Sequence, residues 1–532
     1  MKTIAQKIIN ASLIVAAVYV SGCTKDFKEF NTNPTGVTNQ QYAVDYQSLG
    51  APMEQAQQNI YVGSPAWAYQ LQQNLIADVY SGYMMSPDPF QSNVNNTNYA
   101  LVDGWNSYPW DYAYNNVMSN INSVLKQTTD PQYAPYYQWA KILRVEAMHR
   151  VSDIYGPIIY SHYGQINDDG SVDYDSQKDV YYAFFNDLDS AINEFTTLVQ
   201  SNALPTFTNY DLCYGGDYAK WLKFANTLRL RLAIRISYVD PDKAKEEGEK
   251  ALSNSGGLLE TNDDNCFVNI GTNPHPLNVI NNDWGDIRLG APVSSILNGY
   301  NDGRISKYAL KATDPSVAGQ YIGIRNGINI DAIGRYEGYS QLVTFPSSVQ
   351  LMVAAEAWFL KSEAAIRGWA GAGDAETDYN TGIETSFAQY GLDATSYMND
   401  ATSTAQPYID PNAITPGQND VKTGSPWLST VTIKWNDGDA FERKLERIIT
   451  QKWIAMYPEG QEAWSEFRRT GYPKLFPVVV NNSGGTISTT EFIKRINFPA
   501  DERSNNPNGV AKALQLLGGP DTGGTPLWWD TH

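Results

Sequence analysis

Residues 136–155 read YYQWAKILRVEAMHRVSDIY, and this stretch decides the fold because its apolar residues recur at helical spacing. They follow one another at intervals of three or four and so line one face of a helix: Ala140, Leu143, Ala147, Val151 and Ile154. Gly156 and Pro157 end this helix, since proline lacks a backbone donor and disfavours a helical residue before it. The stretch therefore predicts a long amphipathic helix.

The same spacing returns in residues 181–199, which predicts a second helix packed on the first as an αα-hairpin. One hairpin cannot bury both faces of its helices, so we expect further pairs to stack on it. Three more pairs follow, at 218–237 with a helix opening at Asp240-Pro241, at 352–369 with 374–390, and within 442–469. The four pairs resemble tetratricopeptide repeats. Because long insertions separate them, we predict an all-α-dominated scaffold rather than a tandem solenoid.

Two insertions, near 83–99 and 269–339, combine aromatic rings with amide or charged groups. Flat apolar faces beside hydrogen-bonding groups suit a binding surface. The candidate ligand-binding residues in these insertions are Tyr83, Phe90, Asn96, Tyr99, Trp284, Asp286 and Arg288. The alternative is structural, because long loops on a helical scaffold also need aromatic and arginine side chains to pack and to satisfy backbone carbonyls.

The N-terminus predicts export and lipid attachment. Residues 1–22 have a basic start and an apolar core too short to span a bilayer, as in a signal peptide. Val20-Ser21-Gly22-Cys23 resembles a bacterial lipobox, which makes Cys23 the predicted lipidated residue. Acidic residues soon after it resemble a sorting signal for the outer face of the outer membrane. We expect a tether at 23–40 and a single domain at 41–532.

Two cysteines besides Cys23 leave an open question. Cys213 and Cys266 could form a disulfide in an oxidising compartment, but two buried thiols are an equally good interpretation.

Charge and motif content argue against several classes of function. A formal net charge of −19 opposes binding to nucleic acid or to anionic membrane surfaces. The four histidines, His149, His162, His275 and His532, have no paired spacing for a zinc site. Acidic runs at 167–175 and 436–439 do not match the spacing of a calcium loop. Since no catalytic fingerprint occurs either, we predict a protein that is not an enzyme and has no cofactor beyond the N-terminal lipid.

Arginines on the repeat helices are predicted to be structural. Arg229, Arg231 and Arg235 recur along a helix with an apolar face, so they can reach carboxylates or carbonyls on neighbouring repeats. Arg468 and Arg469 follow Trp464 in the same manner.

A set of ordered motifs resembles the SusD/RagB family of outer-membrane lipoproteins over nearly the whole chain. The motifs are Asp26-Phe27 through Asn31-Thr32-Asn33-Pro34, Asp153-Ile154-Tyr155-Gly156, Tyr214-Gly215-Gly216-Asp217, Lys361-Ser362-Glu363-Ala364-Ala365, Gly460-Gln461-Glu462-Ala463-Trp464, Phe467-Arg468-Arg469-Thr470-Gly471-Tyr472-Pro473 and Trp528-Trp529-Asp530.

The resemblance implies a non-catalytic lid on a SusC-like TonB-dependent transporter, anchored by lipid and facing outside the cell. Such a protein captures an oligosaccharide at the surface and delivers it to the transporter. In this family, ligands bind in loops that correspond here to about 83–99 and 272–304. Two alternatives stay open: peptides as cargo in the same role, or a helical-repeat adaptor that binds other proteins on its concave helix surface.

Overall fold

Four helix pairs form the framework, as the sequence predicts. A computed structural model describes residues 46–531, and residues from Gly50 onward group into one unit. The pairs are Ala134–Tyr155 with Gln177–Gln200, Tyr218–Arg235 with Pro241–Ser253, Ala354–Ile366 with Ala375–Gln389, and Phe441–Met456 with Gly460–Thr470. The signal peptide, Cys23, the acidic sorting signal and the 23–40 tether lie outside the described residues.

Helices in each pair pack together, and successive pairs pack on one another. The predicted stripes form the core: Trp139, Trp221, Trp453 and Trp464 are all buried. Trp139 stacks on Phe207 with ring centroids 4.1 Å apart. Asp240 accepts a hydrogen bond from the backbone N–H of Lys243, and Pro241 is the first helical residue, as its fixed φ favours.

The predicted arginine roles are confirmed by a buried ionic cluster between the pairs. Arg231 donates two hydrogen bonds to Glu356, at 2.8 and 2.7 Å. Arg235 contacts Glu462 and Glu466 on the last repeat helix. The other three arginines pair with a carboxylate or a carbonyl in the same way: Arg229 with Glu247, Arg469 with Glu363, and Arg468 with the Asp153 carbonyl. Except for Arg229 with Glu247, which lie in the two helices of one pair, these contacts join separate pairs and so fix how the pairs stack.

Two short antiparallel sheets lie outside the repeats. Strand β1 (Met84–Met85) pairs with β3 (Arg288–Leu289), and β2 (Cys266–Asn269) pairs with β4 (Ser348–Met352). Met352, which the periodicity assigned to the start of a helix, is therefore the end of a strand, and its helix begins only at Ala354. Helical and β spacing cannot be separated over so short an apolar run. Cys213 and Cys266 are free thiols.

Further helices lie outside the four pairs, many of them before the first pair. Those of nine residues or more are Gln47–Ile60, Gln70–Asp78, Ser119–Gln127, Ala291–Gly299 and Pro507–Leu517. A helical stretch from Tyr108 runs into Ser119–Gln127 through a π-helical segment, Ala113–Met118.

Candidate ligand-binding site

The two insertions that carry the predicted site residues meet in the structure. Strands β1 and β3 join them, with Met84 opposite Leu289 and Met85 opposite Arg288. Further along, the Asn93 side chain donates to the Ile330 carbonyl and accepts from the Ile330 N–H, both at 2.9 Å. Segments more than 200 residues apart in sequence therefore build one continuous loop region.

Four of the predicted site residues lie inside this region. Tyr83 is fully buried, packs on Trp453 at 4.8 Å and donates its hydroxyl proton to the Trp453 carbonyl. Asn96 and Tyr99 are also buried, and the Asn96 amide bonds to Asn106 and to the Val102 N–H. Arg288 donates to three backbone carbonyls, including that of Glu337 at 2.8 Å. These four side chains give the loops their shape.

The other three predicted residues reach the surface. Trp284 is 39% exposed. Asp286 is half-buried and accepts a hydrogen bond from Gln70 at 2.9 Å, and burial raises the pKa of its carboxyl. Phe90 is half-buried and meets Trp105 edge to face, with centroids 5.8 Å apart.

A group of aromatic residues adjoins them, which we call the aromatic arc: Trp67, which is exposed, and Tyr108 and Tyr112, which are half-buried. Trp67 is 47% exposed, and Tyr108 packs edge-on against it at 5.7 Å. Tyr108 and Tyr112 stack with an interplanar angle of 24°. The helix Ala66–Tyr69 packs on the segment Val279–Trp284, so the arc and Trp284 belong to neighbouring elements. An apolar patch that reaches the surface in this way often marks a binding site.

The arc ends at an open cavity of about 330 Å³. Tyr112 forms part of its wall, and six amide side chains provide donors and acceptors: Gln55, Gln58, Asn59, Asn116, Asn120 and Asn273. Asn116 donates to Asn59 at 3.1 Å, which holds two of these amides in place. Aromatic faces beside uncharged hydrogen-bonding groups suit a neutral polar ligand with apolar ring faces.

Sequence analysis missed the arc, although a signal was present. Tyr108 and Tyr112 are four residues apart and share one helix face, whereas Trp110 and Tyr114 share another. Trp110 is 4% exposed and Tyr114 is 9% exposed, so their face is the one that packs inward. Two aromatic pairs offset by two residues therefore predict one buried face and one face turned towards the surface, where Tyr108 and Tyr112 are half-buried.

A buried histidine supports the segment that carries Trp284. His275 accepts a hydrogen bond from the Leu277 N–H through Nδ1, at 3.1 Å, and so caps the helical turn that continues to Trp284. It packs 5.0 Å from Phe345. Burial lowers the pKa of His275 to about 3, so the ring is neutral near pH 7.

We expect His275→Asn to flatten the acid dependence of stability. Because the pKa of His275 is lower in the folded than in the unfolded protein, stability is lost as pH falls from about 6.5 towards 3. At pH 4.5 this single group costs roughly 1–3 kcal/mol. Asparagine keeps a capping acceptor but does not titrate. Urea unfolding at pH 7 and 4.5 measures the effect, and an unchanged pH difference would contradict this role of His275.

Within residues 46–531, no helix is both long and apolar enough to cross a membrane. In the same part of the chain, no group of three or more His, Cys, Asp or Glu side chains is arranged to hold a metal ion.

Comparison with known proteins places the chain in a family. A family model described as SusD-like, for the SusD and RagB outer-membrane lipoproteins, matches residues 29–530. A chitin-binding SusD homologue from Flavobacterium johnsoniae is 45% identical with a TM-score of 0.86, covering 91% of this chain and 98% of that one. A SusD homologue from Bacteroides vulgatus is 38% identical with a TM-score of 0.86, covering 92% and 98%. No curated protein sequence matches. The chain therefore belongs to the SusD-like family of SusD and RagB outer-membrane lipoproteins.

Proposed function

We propose that this protein captures oligosaccharides at the cell surface and passes them to a SusC-like TonB-dependent transporter, without catalysis. The observation that carries the proposal is the aromatic arc of Trp67, Tyr108 and Tyr112 beside a cavity lined by amides. Family membership supports the role, and the relative from Flavobacterium johnsoniae is described as chitin-binding.

The chemistry of the arc fits a neutral glycan. Indole and phenol rings stack on the apolar faces of sugar rings, while asparagine and glutamine side chains exchange hydrogen bonds with hydroxyl or acetamido groups. We propose that Trp284, Asp286 and Phe90, from the two insertions, extend this surface. Open, solvated contacts of this kind suggest about −4 to −8 kcal/mol, corresponding to dissociation constants from roughly millimolar to micromolar.

Weak capture suits a protein that hands its cargo to another. A ligand held much more tightly would leave too slowly for transfer, because affinity differences arise mostly in the dissociation rate. We propose that lipid on Cys23 anchors the chain to the outer membrane with the arc outside the cell. A single lipidated residue fits a protein whose described helices do not span a bilayer.

Peptide cargo is the second candidate, since an arc of aromatic rings beside amides can also bind a peptide. A protein-binding adaptor would use the faces of the repeat helices instead. In the described residues those helices turn their arginines inward onto carboxylates of neighbouring repeats, which favours a structural use of the repeats.

Isothermal titration of the soluble chain from Thr24 onward tests the proposal. The ligand panel comprises tetramers of N-acetylglucosamine, glucose, xylose and mannose, with short peptides as the second arm. We expect at least one glycan to bind with a micromolar to millimolar dissociation constant. Binding of peptides alone would favour the second candidate, and binding of no glycan would overturn glycan capture.

A further inference from the structure

Two segments that each carry one cysteine run beside each other in the structure. The backbone N–H of Asn269, at the end of β2, donates to the Leu212 carbonyl at 3.0 Å. The Tyr214 hydroxyl donates to the Asp264 carbonyl, just before β2, at 2.7 Å. These two contacts flank the cysteine in each segment and bring the two cysteines opposite each other.

The cysteines between these contacts are Cys213 and Cys266, and their thiols hydrogen-bond to each other. Cys266 is the first residue of β2 and is fully buried, whereas Cys213 is half-buried. The Tyr214 side chain also hydrogen-bonds to the Cys266 thiol. The two sulfurs therefore lie side by side, although the residues are more than 50 positions apart in sequence.

The backbone on both sides of this contact is held in place. The buried Asp211 carboxylate accepts hydrogen bonds from the backbone N–H groups of Cys213, Tyr214 and Gly216, at 2.9, 3.1 and 2.7 Å. Cys266 is held by the pairing of β2 with β4. Because both backbones are fixed, a bond between the sulfurs requires movement of the two side chains only.

The surroundings of the pair do not favour a reactive or metal-binding thiol. Burial raises the pKa of the Cys213 thiol well above its usual value, and the neighbouring Cys266 thiol and the Asp211 carboxylate raise it further. The thiolate is the form that attacks substrates and binds metals, so both activities are suppressed here. A structural role fits the pair better.

We propose that Cys213 and Cys266 form a disulfide in the exported protein. The chain belongs to a family of outer-membrane lipoproteins, which mature outside the cytosol, where disulfides form and persist. The inference does not depend on which ligand the aromatic arc binds.

Oxidation takes place by thiol–disulfide exchange while the chain folds, before β2 buries the thiols. The thiolate of one cysteine attacks the disulfide of an exported thiol oxidase and displaces one of the two oxidase sulfurs as a thiolate. The thiolate of the second cysteine then displaces the other oxidase sulfur. The bond between Cys213 and Cys266 forms in this step, its two electrons pass to the oxidase, and the oxidase leaves as a dithiol.

Counting free thiols in the exported chain tests the proposal. Cys213 and Cys266 are the only cysteines from Thr24 onward. We would direct this soluble chain to the periplasm of a bacterial host, unfold it in guanidinium with iodoacetamide, and measure its intact mass. We expect no labelled cysteine without reductant and two after reduction, whereas the same chain made in the reducing cytosol should carry two labels at once.

The result that overturns the proposal is two labelled cysteines in the exported chain without reduction. A disulfide-linked dimer on a non-reducing gel would overturn it as well, because the bond would then join two chains. Cys213→Ala is the matched control, and we expect this exported variant to be a monomer with one labelled cysteine.

The unfolding temperature gives a second readout. A disulfide that closes a loop of more than 50 residues restricts the unfolded chain, so we expect dithiothreitol to lower the unfolding temperature of the exported wild type by at least about 3 °C. The double variant Cys213→Ala, Cys266→Ala should unfold at the same temperature with and without dithiothreitol. An exported wild type that is equally insensitive would overturn the stabilising role of the bond.

Discussion

Replacing Trp67 by alanine should weaken binding of the captured glycan by about 10- to 100-fold. Exposed tryptophans at the centre of a binding surface commonly contribute 2 kcal/mol or more, which is about 30-fold in affinity. Nearly half of the Trp67 side chain is already exposed, so its removal should change the unfolding temperature little. Titration of the binding tetrasaccharide into both proteins measures the effect.

Two control substitutions test whether the loss of glycan affinity is specific to the aromatic arc. Trp358 is also partly exposed, but it lies on a repeat helix and donates to the Glu260 carbonyl, so Trp358→Ala should retain wild-type affinity. Tyr112→Phe keeps the stacked ring and should bind better than Tyr112→Ala. If Trp67→Ala binds the tetrasaccharide as tightly as the wild type does, the arc is not the binding site.

Replacing Arg231 by methionine should destabilise the fold by about 3–5 kcal/mol. Arg231 is 1% exposed and is bidentate with Glu356, and it lies 3.8 Å from both Glu146 and Glu462. Its loss removes one cation from the buried cluster and leaves Glu356 with only Lys452, 3.6 Å away, so that buried negative charge is poorly compensated and costly. Urea unfolding followed by circular dichroism measures the change.

A rescue variant and a surface control test whether the loss of stability in Arg231→Met comes from the buried cluster. Arg231→Met with Glu356→Gln should recover part of the loss, because the second change neutralises the carboxylate that has lost its two hydrogen bonds from Arg231. Lys512→Ala breaks a 2.6 Å pair with Asp173 on the surface and should change stability little, since water screens exposed pairs. If Arg231→Met proves as stable as Lys512→Ala, the buried cluster does not fix the stacking of the repeats.

The repeat scaffold is predictable from the sequence because its signal is local. Apolar residues at helical spacing, such as Leu143 and Val151, indicate a buried helix face whatever lies elsewhere in the chain. The structural role of the arginines is predictable for a related reason. A charged residue on a helix that is buried on several sides needs an oppositely charged or hydrogen-bonding partner. Met352 shows the limit, since a partner strand at Cys266 decides its conformation.

The candidate site is less predictable because exposure depends on tertiary neighbours. Asn96 belongs to an amide-rich stretch that reads as a ligand surface, yet its amide satisfies the backbone of its own loop. Tyr83 fills space against Trp453, which is 370 residues away in sequence. Trp67 stands outside both predicted insertions, and only the fold brings it beside Tyr108 and near the segment of Trp284.

A crystal structure of the chain with the tetrasaccharide that binds in titration is the most direct test of the central claim. We predict a sugar ring stacked on Trp67 or Tyr112, with its polar groups hydrogen-bonded to amides of the adjoining cavity. Electron density for the glycan on the repeat helices, with the arc unoccupied, would contradict the account.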